Sequence, residues 1–277
     1  MDNKVIIILG MHRSGTSLIA GWLYSCGLHV GERLLGAGIG NAEGHYEDID
    51  FLEAHERILS AHGLPIDGIT FRDMGPLQEA EKAQLRSLIK EKNTVHKEWG
   101  WKEPRTCLFT DAYRELIPGA FYVIVFRDYR SVVSSLITRM HEATKKEALS
   151  KKYFNPIRKY LKNKKRIKEL LRQHAAFYLK VWIHYNRKIL EHARQLPAHQ
   201  YLFASQHALL QTSASFIGRM KEQWHADGLK YVPFEERYKK KLQSRVLEIT
   251  PYIQDKMLLR EADALQAQFT EMLDTRS

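Results

Sequence analysis

A five-residue apolar run, Val5-Ile6-Ile7-Ile8-Leu9, passes directly into Gly10-Met11-His12-Arg13-Ser14-Gly15-Thr16-Ser17 and then into a helix-like stretch from Leu18 to Cys26. An apolar, β-branched run of this kind is a strand buried on both faces, the signature of a parallel sheet covered by helices. The glycine-bearing turn and the helix start that follow gather backbone N–H groups at one point, where the helix dipole adds about half a positive charge. This segment therefore predicts an α/β chain with an anion cradle at the rim of its sheet.

The loop is close to the nucleoside-triphosphate pattern G-x-x-x-x-G-K-S/T, and its departure is informative. Gly10, Gly15 and Ser17 are in register, but Thr16 stands where the lysine that reaches the β- and γ-phosphates belongs. The cation comes earlier, at Arg13, with His12 beside it. The substitution argues for a shorter anion than a triphosphate. A strand–turn–helix with two glycines also occurs in α/β proteins that hold no ligand there.

The 277 residues suit one domain, and a 44% hydrophobic content is enough for a sizeable core. No run approaches the ~18 apolar residues of a membrane span. Met1-Asp2-Asn3-Lys4 leads straight into the first strand without a signal-peptide pattern. Cys26 and Cys107 make neither a disulfide framework nor a zinc site, and Cys26 falls on the apolar side of the first helix. The expectation is a reducing, cytoplasmic compartment. The formal net charge is +11, and residues 139–172 hold thirteen Lys/Arg against three acids, so nearly all the excess sits in one stretch. Such a run is either a solvated face or a docking surface for an anionic partner: a nucleotide, an acidic acceptor or a lipid surface.

Along the chain, Gly31, Gly36, Gly38, Gly40 and Gly44 mark a mobile surface loop. Helices are predicted over about 48–62 and 76–91. A short strand-like segment, 95–101, leads to Lys102-Glu103-Pro104-Arg105, where Pro104 opens a helix with Leu108, Ala112 and Leu116 inward. Phe121 to Phe126 is the clearest second strand, followed by Arg127-Asp128 and a helix through Val132, Val133 and Leu136. The basic stretch reads as one or two amphipathic helices broken near Pro156. A separate longer helix carries Leu171, Ala175, Tyr178, Trp182, Tyr185 and Ile189 as a core stripe. Tyr201-Leu202-Phe203 is a third strand, and the remainder is helical. Strands alternating with helices imply a parallel, doubly wound sheet, with ligands beyond the carboxyl ends of its strands.

Arg127 leaves a strand at that rim, and Ser135 follows two turns into the next helix. A guanidinium with a hydroxyl makes a phosphate clamp. An anion cradle and a second clamp on one sheet edge suit a ligand with phosphates at both ends. At this point the chain resembles the cytosolic and bacterial sulfotransferases that use 3′-phosphoadenosine 5′-phosphosulfate (PAPS). His12-Arg13-Ser14-Gly15-Thr16-Ser17 looks like their 5′-phosphosulfate loop, and Arg127 with Ser135 looks like their 3′-phosphate pair. The stretches Asn41-Ala42-Glu43-Gly44-His45-Tyr46-Glu47-Asp48 and Trp99-Gly100-Trp101-Lys102-Glu103-Pro104-Arg105 are similar to the bacterial branch. The resemblance covers about residues 4–140, with a weaker echo at Trp182-Ile183-His184-Tyr185-Asn186. It implies a single P-loop-like sulfotransferase domain with a basic helical insertion at about 139–172. Two departures stand out. Leu18 occupies the position where many relatives stack a tryptophan on adenine, so Trp22, one turn later, is either its substitute or a core residue. No basic-glycine segment late in the chain completes the 3′-phosphate site.

The resemblance implies sulfuryl transfer from PAPS to a hydroxyl or amine, with PAP as the second product and a carbohydrate or small molecule, possibly acidic, as acceptor. Glu47 is assigned as the base, with His45 its rival, and the competing reading is a helix-starting carboxylate beside Asp48. Lys102 stabilises the bridging oxygen or is an exposed lysine before a proline. Arg13 holds the phosphosulfate. Arg105 either clamps substrate or pairs with Glu103. No metal is required, and no nucleic acid is expected. Residues 139–172 form a lid, an acceptor-docking face or a peripheral membrane contact. Two other readings compete: a P-loop small-molecule kinase using ATP and magnesium, with Asp128 as its second-strand carboxylate, and a degenerate P-loop protein that binds nucleic acid or membrane without catalysis.

Overall fold

A computed structural model describes residues 3–36, 44–147, 156–238 and 246–276. Among these residues, four parallel strands form one sheet in the order β2-β1-β3-β4, where β1 is Lys4–Leu9, β2 Glu98–Lys102, β3 Phe121–Val125 and β4 Tyr201–Ala204. Eight α-helices flank it: α1 Thr16–Ser25, α2 Ile49–Ala61, α3 Glu79–Val95, α4 Thr110–Leu116, α5 Tyr129–Glu147, α6 Pro156–Gln195, α7 Gln206–Trp224 and α8 Lys256–Arg276.

The strands sort their side chains by the two-residue period of a pleated sheet. Ile6 and Ile8 of β1, with Val123 and Val125 of β3, pack against Ile19, Leu23, Phe216 and Met220 of α1 and α7. Val5, Ile7 and Leu9 face the other way, into a larger core shared with helices α2 to α6 and α8. The sheet is thus doubly wound, as the alternating pattern of the sequence requires. The stripe Leu171, Ala175, Tyr178, Trp182, Tyr185, Ile189 lies in that larger core. Trp22 is fully buried, donates to the Val232 carbonyl at 2.7 Å and meets Phe234 edge-on, so it is a core residue.

Two expectations change. The basic stretch and the core stripe are not separate helices: α6 runs without a break for 40 residues. Its first turns carry exposed Lys162, Lys164, Lys165, Arg166 and Lys168 around the inward Leu171, and its later turns are buried in the core. Pro156 starts it, the position where proline's fixed φ and missing N–H do no harm. The helix expected at Pro104 is two pieces, a 3₁₀ turn Pro104–Leu108 and then α4. Asn41, Ala42, Glu43 and residues 148–155 of the basic stretch lie outside the described residues. Among the described residues, no helix is long and apolar enough to cross a membrane.

Candidate active site

Register puts the carboxyl ends of the strands on one rim. Ile8 pairs with Lys102, Leu9 with Ile124 and Val125 with Ala204, so the loop after β1, Lys102 at the end of β2 and Arg127 after β3 emerge side by side. The loop turns through two left-handed residues, Arg13 at φ 68° and Gly15 at φ 95°. At Gly15 a side chain would also run into Gln206, at the start of α7. A Cβ at Gly10 would sit 2.5 Å from Thr16 Cγ2 and 2.8 Å from the Val125 carbonyl. Both glycines are therefore sterically required. Leu18 and Ile19 donate to the Gly15 carbonyl, which leaves the N–H groups of Thr16 and Ser17 at the open start of α1, where an anion is favoured.

Two side chains in the cradle hold unmet polar atoms. Ser14 is 1% exposed and its Oγ has no hydrogen-bond partner among the described residues; His12 Nε2 is likewise sealed and unmet. Burial, reinforced by Arg105, pulls the His12 imidazole down to about 3, so it is neutral.

Arg13 joins the cradle to the second clamp. Its Nε donates to Ser135 Oγ at 2.8 Å, and Arg127 donates to the Arg13 carbonyl at 3.1 Å. Residues separated by more than a hundred positions thus form one connected patch. Burial lowers both guanidinium pKa values, and at Arg13 the neighbouring charges of Arg139 and Arg127 push further the same way. At Arg13 positive charge is gathered against its own repulsion, which Glu142 partly offsets, as Asp128 does the burial of Arg127.

Lys102 is fully buried, and its ammonium donates to Glu47 Oε1 at 2.8 Å and Ser17 Oγ at 3.2 Å. Burial depresses its pKa and Glu47 opposes the shift. Glu47 is not the first residue of a helix. Asp48 is the N-cap of α2, accepting from Asp50 N at 2.8 Å, while the Glu47 side chain turns to Lys102. His45 Nδ1 stands 3.8 Å from the same carboxylate oxygen. The segment is fixed on both sides: Leu35 N donates to the Glu47 carbonyl, and His45 N to the Leu35 carbonyl. Tyr46 is held by Arg237, which donates to its hydroxyl at 2.9 Å and to the Gly21 carbonyl at 3.2 Å. Arg237 and Gln206 were not legible as site-supporting residues, because no local pattern ties them to partners 191 residues away.

Arg105 is taken up by partners outside the loop. It bonds Glu103, Glu56 (3.0 Å) and the Ile66 carbonyl (2.6 Å). Its pairing with Glu103 is the alternative the structure realises. Asp128 accepts from Ser131 N at 2.9 Å as the cap of α5, so the carboxylate that a kinase reading needs is engaged in holding a helix.

No protein-family model and no curated protein sequence matches the chain. Solved structures do. Sulfotransferase STF9 from Mycobacterium avium superposes with a TM-score of 0.57 at 15% identity, covering 99% of this chain and 77% of its own. Sulfotransferase STF1 from Mycobacterium tuberculosis gives 0.55 at 13%, covering 95% of this chain and 77% of its own. The sulfotransferase domain of the Synechococcus olefin synthase gives 0.52 at 15%, covering 98% and 96%. Identity this low speaks to architecture, and the architecture agrees over nearly the whole length: this chain has the sulfotransferase fold.

Proposed function

We propose that this protein is a sulfotransferase that moves a sulfuryl group from PAPS to a hydroxyl, or amine, of a carbohydrate or small-molecule acceptor. The observation that carries the reading is the connected patch Arg13–Ser135–Arg127 next to the Lys102–Glu47 pair, all on the rim of a sulfotransferase fold. The chemistry of the donor set fits an adenosine with phosphates at both ends. The loop amides, Arg13, Ser14 and Ser17 suit the phosphosulfate. Arg127 and Ser135 suit the 3′-phosphate. The unmet Ser14 hydroxyl gains a partner when an anion binds.

In the reaction the acceptor oxygen bonds to sulfur as the bond from sulfur to the bridging phosphate oxygen breaks. Glu47 takes the acceptor proton. Lys102 donates to both Glu47 and the loop, so its charge stands between the base and the place where leaving-group charge builds. Arg13 and the helix start hold that group in line. The role of these residues needs no metal. The exposed basic turns of α6, with the end of α5, serve as an acceptor-docking face or lid of a single domain. Two buried free thiols, Cys26 and Cys107, suit a reducing, cytoplasmic compartment. Thr16 in the lysine position and Asp128 tied up as a cap disfavour a kinase.

Calorimetry with 3′-phosphoadenosine 5′-phosphate against ATP with magnesium tests the donor. Tight binding of the former and weak binding of the latter is expected, and the reverse order removes the proposal. A donor-loaded screen of acceptor mixtures, read by mass for an added sulfuryl group, then identifies the acceptor.

A further inference from the structure

On the outer side of edge strand β2, away from the Arg13 patch, two histidines and a carboxylate meet. His29 follows α1, Glu32 begins the glycine-rich loop, and His96 caps the carboxyl end of α3. The two imidazoles stack with centroids 3.7 Å apart and planes 24° apart. Their Nε2 atoms converge on one oxygen, Glu32 Oε1, at 3.4 Å from His29 and 2.7 Å from His96. All three potential donor atoms lie within 4.8 Å of one another. Bonds of about 2.0–2.1 Å in a tetrahedral zinc site place neighbouring donors about 3.4 Å apart, the separation of His29 Nε2 from Glu32 Oε1, while His96 Nε2 lies closer to that oxygen.

The three residues are set on firm supports. The His29 carbonyl accepts from Gly100 N of β2 at 2.8 Å, and His96 N donates to the Lys92 carbonyl while its own carbonyl accepts from Asn3. Lys92 contacts Glu32 through the other oxygen, Oε2, which orients the carboxylate and leaves Oε1 toward the histidines. Lys92 is itself held by Asp48 at 3.1 Å and Asp50 at 2.6 Å. Three carboxylates around one ammonium keep the pocket anionic, with Arg33 offsetting part of Asp50. His29 Nε2 is sealed from solvent, and beyond its 3.4 Å approach to Glu32 it has no hydrogen-bond partner among the described residues.

We propose that His29, Glu32 and His96 form a binding site for a divalent transition metal, zinc above all, with water completing the shell. Two imidazoles and one carboxylate match zinc and cobalt and do not suit magnesium or calcium. The metal is structural. It ties the start of the glycine-rich loop to the α3–β2 junction, and it takes no part in the transfer chemistry proposed above.

Chelator-treated protein titrated with Co²⁺ alone, followed by absorbance, and with Zn²⁺ alone, followed by calorimetry, tests the site. One equivalent of each should bind. His29→Ala, His96→Gln and Glu32→Gln should each weaken binding at least about tenfold, the scale of losing even an outer partner. His62→Ala, which removes another histidine–carboxylate pair, at Glu81, should change nothing. In the wild-type protein, paramagnetic Co²⁺ should shift the ring signals of His29 and His96 and leave those of His62, so the test does not depend on variants that fold. No uptake by the wild type, shifts elsewhere, or unchanged affinity in the three variants overturns the site. Binding is read without turnover, so failure of the transferase reading leaves this one standing, and the reverse.

Discussion

Two consecutive residues at the end of β2 lead into two clusters of buried charge with opposite characters. Lys102 joins Glu47 and Ser17 beside a loop that keeps an unmet serine hydroxyl and a crowd of guanidinium charge. Glu103 joins a set in which every main partner is met. His55 Nδ1 bonds it at 2.6 Å, Arg105 bonds its other oxygen, His55 Nε2 meets Tyr113 at 2.7 Å, and Arg105 also holds Glu56 and the Ile66 carbonyl. Burying charge is costly unless it is paired and hydrogen-bonded. The Glu103 cluster meets that condition inside the protein and braces α2 against the sheet. On the Lys102 side the Ser14 hydroxyl stays unmet among the described residues. Satisfaction of polar groups therefore separates the scaffold from the proposed site, although the sequence runs straight from one to the other.

Substitutions on the two sides should have different readouts. The largest expected effect is at Glu47: Glu47→Gln should lower turnover by about 10²–10⁴-fold, the worth of a positioned base, and leave affinity for 3′-phosphoadenosine 5′-phosphate intact. Near-normal turnover moves the role to His45. Next, Glu103→Ala should destabilise the fold by about 3–5 kcal/mol, because it strands Arg105 and His55, and urea unfolding measures this. The same cluster sets an acid limit. Burial pushes the Glu103 carboxyl up, and His55, then Arg105, outweigh it and hold the group down to about 2 from 4.5. A depressed carboxyl contributes stability above its unfolded value, so that contribution should fade as pH falls from about 4.5 towards about 2. A flat stability profile through that window would put Glu103 outside the bracing role.

Lys102→Ala should lower turnover by about 10²–10³-fold, like the loss of one transition-state donor, with less than about a tenfold change in donor affinity. A loss confined to affinity would make Lys102 a binding residue and blur the contrast between the clusters. Arg127→Ala should weaken 3′-phosphoadenosine 5′-phosphate by about 10–100-fold, the scale of a charged hydrogen bond. Ser135→Ala should have the smallest effect, a few-fold, because Arg13 remains. If neither variant changes affinity by calorimetry, the second clamp does not hold a phosphate.

Much of this was legible in the chain. The apolar β1 run and the paired glycines announced both the sheet and the cradle, because sterics at Gly10 and the left-handed turn at Gly15 leave no other residue type. The four strands and the rim position of Arg127 followed from the alternating pattern. What stayed open were decisions that depend on distant partners. Arg105 reads either as a substrate clamp or as a partner of Glu103 until Glu56 and Ile66 meet it from another segment. Trp22 reads either as an adenine platform or as a core residue until Phe216, Phe234 and Val232 enclose it. The join of the basic stretch to the core stripe in α6 was hidden because one helix changes from a solvated face to a buried one along its length, and periodicity read in short windows divides it.

The stitching at either end of the glycine-rich stretch, by Leu35 to Glu47 and by the bridge of Leu34 with Asp48, has an evolutionary corollary. Chain that leaves and returns through one closed seam can be lengthened, shortened or rewritten with little entropic penalty. Descendants of this protein can therefore vary the enclosed stretch while Glu47 keeps its place beside Lys102.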